Sequence, residues 1–272
     1  MKARVISAIC GGMVLGTVLY LGGIWVVITC VLLSLMATYE GLKLTPYTYS
    51  KIITYTFVLL FLISAIISPD ITRFIYVSVL VIISLIIISS LYVVSNNKEK
   101  SPYKMLIYSV GIPLYTGFLF SHVLLIYQGT SLPTHIGLKL LLVTIATTFA
   151  TDTGAYLIGT FFGKIKIAPT ISKNKTLEGS IGGFVSGVII FVLTGSLIGI
   201  ELTIIQIIFT GAAISLSAQL GDLLESKLKR LGNTKESGVF MPGHGGLLDR
   251  IDSLLVTLPI SGRPSYRQSA TS

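Results

Sequence analysis

The sequence is poor in charged side chains and in cysteine. Only 11% of its 272 residues are charged, and only 11 residues are Asp or Glu. The two cysteines, Cys10 and Cys30, lie in apolar runs, so we interpret them as small apolar residues rather than a disulfide or a metal pair. The sequence also has no Walker A motif, no HExxH motif and no Cys/His zinc spacing. A P-loop, a zinc protease and a nucleophilic triad therefore have no support.

Long apolar runs are what the sequence has instead. Hydrophobic residues make up 52% of the chain, which is more apolar surface than a soluble domain can bury. Crossing a bilayer as a helix takes roughly 20 residues, and Gly22-Gly23 predicts a turn inside the first, longest run. We therefore predict an all-α polytopic membrane protein with eight to nine transmembrane helices, the ninth beginning in the short stretch Ile251–Ile260. The long runs are Val5–Thr38, Ile52–Ser68, Phe74–Ser95, Met105–Tyr127, Ile136–Phe162, Ile181–Ile200 and Leu202–Leu220.

The basic residues predict the orientation of these helices. If the N-terminus is cytoplasmic and the chain changes sides at each helix, 16 of the 20 Lys and Arg lie on the cytoplasmic side and 4 on the other. This asymmetry agrees with the positive-inside rule. We expect a multi-pass protein of the cytoplasmic (inner) membrane whose site faces the cytoplasm. Orientation alone explains Lys2, Lys43 and Lys98.

The chain is predicted to form one transmembrane domain, residues 1–260, followed by a polar tail over residues 261–272. Two cytoplasmic loops, predicted over residues 163–180 and 221–250, carry glycines, basic residues and carboxylates. Neither is a simple tether by composition. We expect the two loops to form the site.

Several of the few carboxylates lie near predicted helix ends. Asp152 lies within an apolar helix, where an ionisable group is costly and suggests a function; the alternative is a carboxylate paired with a lysine or a neighbouring helix. Asp222 is predicted to end one helix and Asp249 to begin the next, so that a short loop could bring together two oxygen ligands suited to Mg²⁺. Asp252 lies three residues after Asp249, on the same helical face. The alternative is that these acids neutralise nearby lysines.

The polar segments also contain residues suited to phosphate. Gly245 and Gly246 allow backbone amides to approach an anion at a helix start, and basic residues such as Arg230 can bind phosphate. Lys175 and Thr176 in the other loop are candidates for phosphate or nucleotide contact. The alternative is a flexible turn with solvated charges. Gly182-Gly183 is predicted to allow close helix packing.

Two segments carry a family resemblance. Residues 221–252 read GDLLESKLKRLGNTKESGVFMPGHGGLLDRID, and residues 152–183 read DTGAYLIGTFFGKIKIAPTISKNKTLEGSIGG. Both resemble the characteristic blocks of the phosphatidate cytidylyltransferases (CDP-diacylglycerol synthases). Two departures stand out. Glu236 replaces the aspartate usual in the family, and the last helix stops near Pro259-Ile260, which predicts an altered tail.

The resemblance implies an enzyme that transfers a cytidylyl group from CTP to phosphatidic acid in phospholipid biosynthesis, giving CDP-diacylglycerol and pyrophosphate. It implies Mg²⁺ as cofactor and membrane lipids as partners, with no nucleic acid; a second cation and a homodimer are left open. The implied metal ligands are Asp222 and Asp249. The implied catalytic residues are Asp222, Asp249, Lys229, Arg230 and Asp252. The implied substrate-binding residues are Lys175, Thr176, Ser226, Lys235, His244, Gly245, Gly246 and Arg250, with Asp152 and Glu178 as second-tier candidates.

Three other functions fit parts of the pattern. A CTP-dependent lipid kinase of the polyprenol-kinase type would use similar lysines and aspartates but release CDP. A cation transporter would use Asp152 and Asp222 along its pathway, but its acids should span the membrane depth and its sequence should contain inverted repeats. A CDP-alcohol phosphotransferase needs an aspartate-rich helix with its own spacing, which this sequence lacks.

Overall fold

The computed structural model describes residues 2–45, 50–68, 70–95, 101–128, 134–199, 203–231, 234, 237–238 and 245–261. In these ranges the chain is helical, with short connections and no β-strand beyond isolated bridge residues. The prediction of an all-α protein is therefore confirmed. Lys235, Glu236 and His244 lie outside the described residues, as does the predicted tail after Ser261.

The helices follow the apolar runs closely. Gly22 and Gly23 have φ values of 64° and 52° and separate the first two helices, as the sequence predicts. A π-helical segment, Leu114–Phe118, follows Pro113, whose ring removes a backbone donor from the helix. The helices are α1 (Lys2–Leu21), α2 (Ile24–Leu44), α3 (Lys51–Ile67), α4 (Ile71–Ser95), α5 (Pro102–Pro113), α6 (Leu119–Gln128), α7 (Thr134–Phe162), α8 (Leu177–Ile198), α9 (Ile204–Leu231) and α10 (Leu248–Ser261).

Six described helical stretches are long and apolar enough to cross a membrane. The helices α1 and α3 contain shorter apolar stretches, Gly11–Leu21 and Lys51–Ile67. A count of eight to nine spans stays a prediction. The six stretches are Ile24–Leu44, Ile71–Ser95, Pro102–Gln128, Ile136–Phe162, Leu177–Ile198 and Ile204–Leu231.

Both predicted loops are shorter in the structure than in the sequence analysis. α8 already begins at Leu177, because Thr176 provides its N-cap. The expectation that Asp222 ends its helix is wrong, since α9 continues to Leu231. After Leu220, residues such as Leu223, Leu224 and Leu228 maintain the helical pattern, although lysines and carboxylates suggest a loop. Asp249 does lie in the first turn of α10, as predicted.

The chain divides into two compact units. Unit 1 comprises Met1–Leu132 and Lys227–Ile251, and unit 2 comprises Pro133–Ser226 and Asp252–Ser272. The single-domain description stays a prediction.

Aromatic packing and a small polar network hold unit 1 together. Phe118 packs against the rings of Phe61, Phe74 and His122, with the ring centroids of Phe118 and His122 4.9 Å apart. The Ser34 hydroxyl donates to the Thr116 carbonyl at 2.5 Å. The π-helical segment therefore lies against α2 and α3 through both apolar and polar contacts.

Close approach of α7 and α8 defines unit 2. A Cβ on Gly183 would lie 2.6 Å from the Thr151 carbonyl oxygen, and one on Gly179 would lie 2.7 Å from the Ala155 carbonyl oxygen. A side chain at Gly182 would overlap Ile158. The predicted role of Gly182-Gly183 in close helix packing is confirmed.

Candidate active site

A cavity of about 520 Å³ in unit 2 brings together residues of both segments singled out in the sequence. Asp152 from α7 lines the cavity, together with Lys175 and Thr176 from the loop before α8. Helix α9 contributes Gln219 and Asp222 to the lining. The remaining lining is largely apolar, with Ser172, Asn174 and Ser180 as its other polar residues, so the cavity combines charged groups with a surface suited to hydrocarbon.

Two of the residues that line this cavity form an ion pair. The Lys175 Nζ atom lies 2.6 Å from Oδ2 of Asp222, and the two side chains are 25% and 36% exposed. The Ser226 hydroxyl donates to Oδ1 of Asp222 at 3.3 Å, one helical turn further along α9. A pair this exposed contributes little to stability and leaves both groups accessible to a ligand.

The Lys175 side chain has a second partner that the sequence analysis missed. Its ammonium donates to the Gln219 carbonyl at 3.4 Å. The Gln219 side chain in turn donates to the Ser180 carbonyl at 3.1 Å and contacts the Ser180 hydroxyl. Gln219 precedes Asp222 by three residues in an apolar helix, and this spacing, which places both on one helical face, is the signal that could have identified it.

The loop before α8 is fixed by its own hydrogen bonds. The Thr176 hydroxyl accepts from the Gly179 amide at 3.2 Å and caps α8. Lys166 and Thr176 form an antiparallel bridge, and Glu178 accepts from the amides of Lys164 and Ile165 at 3.0 and 3.2 Å. Lys175 therefore lies in an ordered turn. The Glu178 carboxylate binds the backbone of Lys164 and Ile165 and is not among the residues that line this cavity.

Two further predicted carboxylates lie near the ion pair. Asp152 is close enough to Asp252, Asp222 and Lys175 to interact with them electrostatically. The Ser253 hydroxyl lies 3.5 Å from Oδ1 of Asp152. Gly221 allows α9 to pack on α10 here, because a Cβ on it would lie 2.6 Å from the Asp252 carbonyl oxygen. Unit 2 thus gathers three carboxylates and one lysine.

A second ion pair lies in unit 1. Lys229 Nζ is 2.9 Å from Oδ1 of Asp249, and the side chains are 16% and 12% exposed. Oδ2 of Asp249 accepts from the amides of Ser237 and Gly246 at 3.1 and 2.8 Å. Gly245 adopts a left-handed φ of 82°, which turns the chain into α10. Asp249 is therefore bound to the polar segment that precedes its own helix.

A buried glutamate supports the same segment and was also missed. Glu40, 6% exposed, lies in the last turns of α2. Its carboxylate accepts from the amides of Leu247 and Leu248 at 3.0 and 2.9 Å. A signal existed in the sequence, because a carboxylate near the C-terminus of an apolar helix is unfavourable against the helix dipole unless it has a partner.

Comparison with known proteins identifies the family. The model of the cytidylyltransferase family matches residues 2–262. The chain belongs to the cytidylyltransferase family. The match extends through both units and includes both ion pairs.

The chain is also similar to proteins from several Staphylococcus species. The chain is 42% identical over 124 residues to the phosphatidate cytidylyltransferase of Staphylococcus haemolyticus, a match that covers 46% of this chain and 48% of the relative. The protein of the same name from Staphylococcus epidermidis is 40% identical, and that from Staphylococcus aureus 42%, with the same coverage. The chain thus spans about half the length of these relatives.

The two aspartates predicted to bind metal differ in their capacity to do so. Among the described residues, no cluster of three or more His, Cys, Asp or Glu side chains has the geometry of a metal site. Asp222 belongs to unit 2 and Asp249 to unit 1, and their sharing of one metal stays a prediction. Asp222 accepts from Lys175 and from the Ser226 hydroxyl and is 36% exposed, whereas Asp249 accepts from Lys229 and two backbone amides and is 12% exposed.

The remaining predicted residues are placed individually. Arg230 and Arg250 are exposed at the end of α9 and the start of α10. The Gly246 amide donates to Oδ2 of Asp249 at 2.8 Å, and its contact with substrate stays a prediction. Asp252 has its carboxylate within 2.7 Å of the Ser253 amide. Lys235 and His244 lie outside the described residues, so their predicted roles stay predictions.

Proposed function

We propose that this chain transfers the cytidylyl group of CTP to phosphatidic acid, producing CDP-diacylglycerol and pyrophosphate. The observation that carries the proposal is the cavity of unit 2, where the pair Lys175–Asp222 meets a largely apolar wall. A substrate with a phosphate head and hydrocarbon tails matches that division. Membership of the cytidylyltransferase family and the similarity to phosphatidate cytidylyltransferases support CTP and phosphatidate as the two substrates.

The reaction needs charge neutralisation more than a covalent nucleophile. An oxygen of the lipid phosphate forms a bond to the α-phosphorus of CTP, and the bond from that phosphorus to the bridging oxygen of pyrophosphate breaks. Both reactants are anionic, so cationic side chains must offset their repulsion. We assign this role to Lys175 at the cavity and to Lys229, Arg230 and Arg250. Ser226 holds Asp222 at 3.3 Å and is a positioning residue.

The other predicted substrate contacts remain part of the proposal with narrower roles. Thr176 lines the cavity, but its hydroxyl caps α8, so we expect it to shape the pocket wall. Gly245 and Gly246 set the path of the backbone into α10. Lys235 and His244 are retained as phosphate contacts on the basis of the sequence.

A divalent cation fits best at Asp222. Mg²⁺ typically binds through one or two carboxylates together with substrate phosphates and water, and Asp222, which is 36% exposed, is one of the two carboxylates that line the cavity. Mg²⁺ held by Asp222 would supply positive charge to the triphosphate, and Lys175 beside it would contact phosphate. A metal at either aspartate would have to displace the paired lysine, but at Asp249 it would also compete with the amides of Ser237 and Gly246.

We further propose the membrane arrangement expected from the sequence. The protein would cross the cytoplasmic membrane eight to nine times with its N-terminus and site in the cytoplasm, where CTP is available. Reporter fusions after each helix test this orientation, and cross-linking in membranes tests a homodimer. A reporter signal placing the loop before α8 outside the cell would contradict the proposal.

Purified protein with CTP, phosphatidate and Mg²⁺ provides the direct test. We expect CDP-diacylglycerol and pyrophosphate in equal amounts, with loss of turnover in EDTA and recovery on adding Mg²⁺. Release of CDP together with a phosphorylated lipid would instead indicate a lipid kinase. Ion flux in proteoliposomes without any CTP turnover would indicate a transporter. Matched reactions with ATP in place of CTP measure the preference for the base.

A further inference from the structure

Glu40 connects a helix near the N-terminus to the start of α10. Both of its carboxylate oxygens accept hydrogen bonds, Oε1 from the Leu247 amide at 3.0 Å and Oε2 from the Leu248 amide at 2.9 Å. Oε2 also accepts from the Ser237 hydroxyl at 3.3 Å. The side chain is almost completely buried, at 6% exposure. Glu40 therefore acts as the cap of a helix that lies more than 200 residues later in the sequence.

The local sequence explains why this distant cap is needed. The first amides of a helix have no partner within it, and a side-chain oxygen just before the helix usually satisfies one of them. The residues before α10 are Gly245, Gly246 and Leu247, none of which has a side-chain oxygen. A carboxylate at this position also interacts favourably with the positive end of the helix dipole.

Two glycines make room for the Glu40 carboxylate. A Cβ on Gly238 would lie 2.5 Å from Oε1 of Glu40, and a Cβ on Gly246 would lie 2.6 Å from Oε2. Any side chain at either position would displace the carboxylate. These glycines therefore have a packing role that is separate from approach to a ligand.

Glu40 and Asp249 hold the same short segments. Ser237 donates its hydroxyl to Glu40 and its amide to Asp249. The Gly246 amide donates a hydrogen bond to Asp249, and the amides of Leu247 and Leu248 donate to Glu40. A shift of the Glu40 carboxylate would thus move the backbone that fixes Asp249, and with it the contact of Asp249 with Lys229.

We propose that Glu40 is a positioning residue for the pair Lys229–Asp249, which it orients through the backbone of residues 246–248. The inference rests on the proposed function, because it assigns that pair a part in cytidylyl transfer. Glu40 itself does not contact substrate. Its loss should lower kcat much more than it raises the KM for CTP.

The variant Glu40→Gln tests this role. Its amide group keeps one accepting oxygen but places an N–H donor where the other oxygen accepts from the backbone, so one of the two amide contacts should be lost while the size of the side chain is kept. We expect kcat to fall about 10–100-fold, with the KM for CTP changed less than about threefold. A second variant, Gly238→Ala, displaces the same carboxylate from the loop side and should give the same selective loss. The double variant should lose no more than the worse single variant.

The matched control is Thr38→Val, two residues earlier on α2. The Thr38 hydroxyl is fully buried and is hydrogen-bonded to the Ser34 carbonyl at 2.7 Å and to the Thr116 hydroxyl at 2.8 Å, so its hydrogen bonds in the described part of the chain go to α2 and the π-helical segment rather than to residues 245–248. We expect this variant to lower the unfolding temperature while kcat stays within about twofold. If Glu40 served only stability, Glu40→Gln would behave in the same way, and the proposal would be overturned.

Hydrogen exchange of residues 245–250 gives a readout that does not depend on activity. Glu40→Gln and Gly238→Ala should make this segment exchange about tenfold faster or more than the wild type and Thr38→Val. Unchanged exchange, or faster exchange with unchanged kcat, would overturn the positioning role. A wild-type protein that exchanges slowly here but makes no CDP-diacylglycerol would refute the proposed function and not the cap itself.

Discussion

The two lysine–aspartate pairs of this protein look alike in sequence and differ in what surrounds them. The pair Lys175–Asp222 is 25% and 36% exposed and lies at a cavity. The pair Lys229–Asp249 is 16% and 12% exposed, and its aspartate accepts two backbone amides as well. The first pair is accessible enough to bind a ligand. The aspartate of the second pair also binds the backbone before α10, so this pair is less accessible and contributes more to the fold.

A carboxylate can be essential because it takes part in the reaction or because it stabilises the fold, and the two pairs are expected to differ in this respect. Removing Asp222 should affect chemistry and leave the fold intact, because exposed pairs contribute about 0–1 kcal/mol. Removing Asp249 should affect both, because a poorly solvated ammonium and two amides would lose their acceptor. Measuring activity and unfolding on the same variants can therefore test the comparison.

The largest effect is expected for Asp249→Asn. We expect activity to be abolished and the free energy of unfolding to fall by about 2–4 kcal/mol, while the protein still inserts into the membrane. The measurements are the CTP-dependent assay and thermal unfolding in detergent. Adding Lys229→Gln to this variant should recover part of the stability but none of the activity, because it removes the unpaired ammonium. Retained activity in Asp249→Asn would contradict any role for this pair in the reaction.

A smaller, purely functional effect is expected for Asp222→Asn. The variant should lose about 100-fold or more in kcat/KM, and should need more Mg²⁺ for half-maximal activity. Its unfolding free energy should change by less than about 1 kcal/mol. Asp70→Asn is the matched control, since Asp70 is a loop aspartate whose side chain accepts local amides at 3.3 and 3.5 Å. A loss of stability as large as that of Asp249→Asn would remove the distinction between the two pairs.

Local features of the fold could be predicted from the sequence. The apolar runs predict most of the helices, Gly22-Gly23 predicts the first turn, and Gly182-Gly183 predicts the close packing of α7 and α8. These depend on composition and spacing within a few residues. The end of α9 could not be placed in the same way, because its last turns are rich in charge and resemble a loop.

Long-range contacts in the site could not be predicted. The sequence identifies Lys175, Asp222, Lys229 and Asp249 as polar residues in the right segments, but does not show which lysine faces which aspartate. Nothing near residue 247 indicates that its amide binds Glu40, because the partners are 207 residues apart. Sequence spacing carries information about one helix face or one turn, whereas such a pairing depends on the packing of whole helices.

The smallest effect tests the contrast between a local and a distant cap. Thr176→Val keeps the shape of a buried side chain, 3% exposed, but removes the hydroxyl that accepts from the Gly179 amide. We expect a loss of about 1 kcal/mol in unfolding free energy with little change in the KM for CTP, measured by thermal unfolding and steady-state kinetics. Thr176→Ser should preserve both, because it keeps the hydroxyl. A large rise in KM with unchanged stability would instead make Thr176 a direct substrate contact, and the ordered turn that presents Lys175 would then depend on the bridge with Lys166 rather than on this cap.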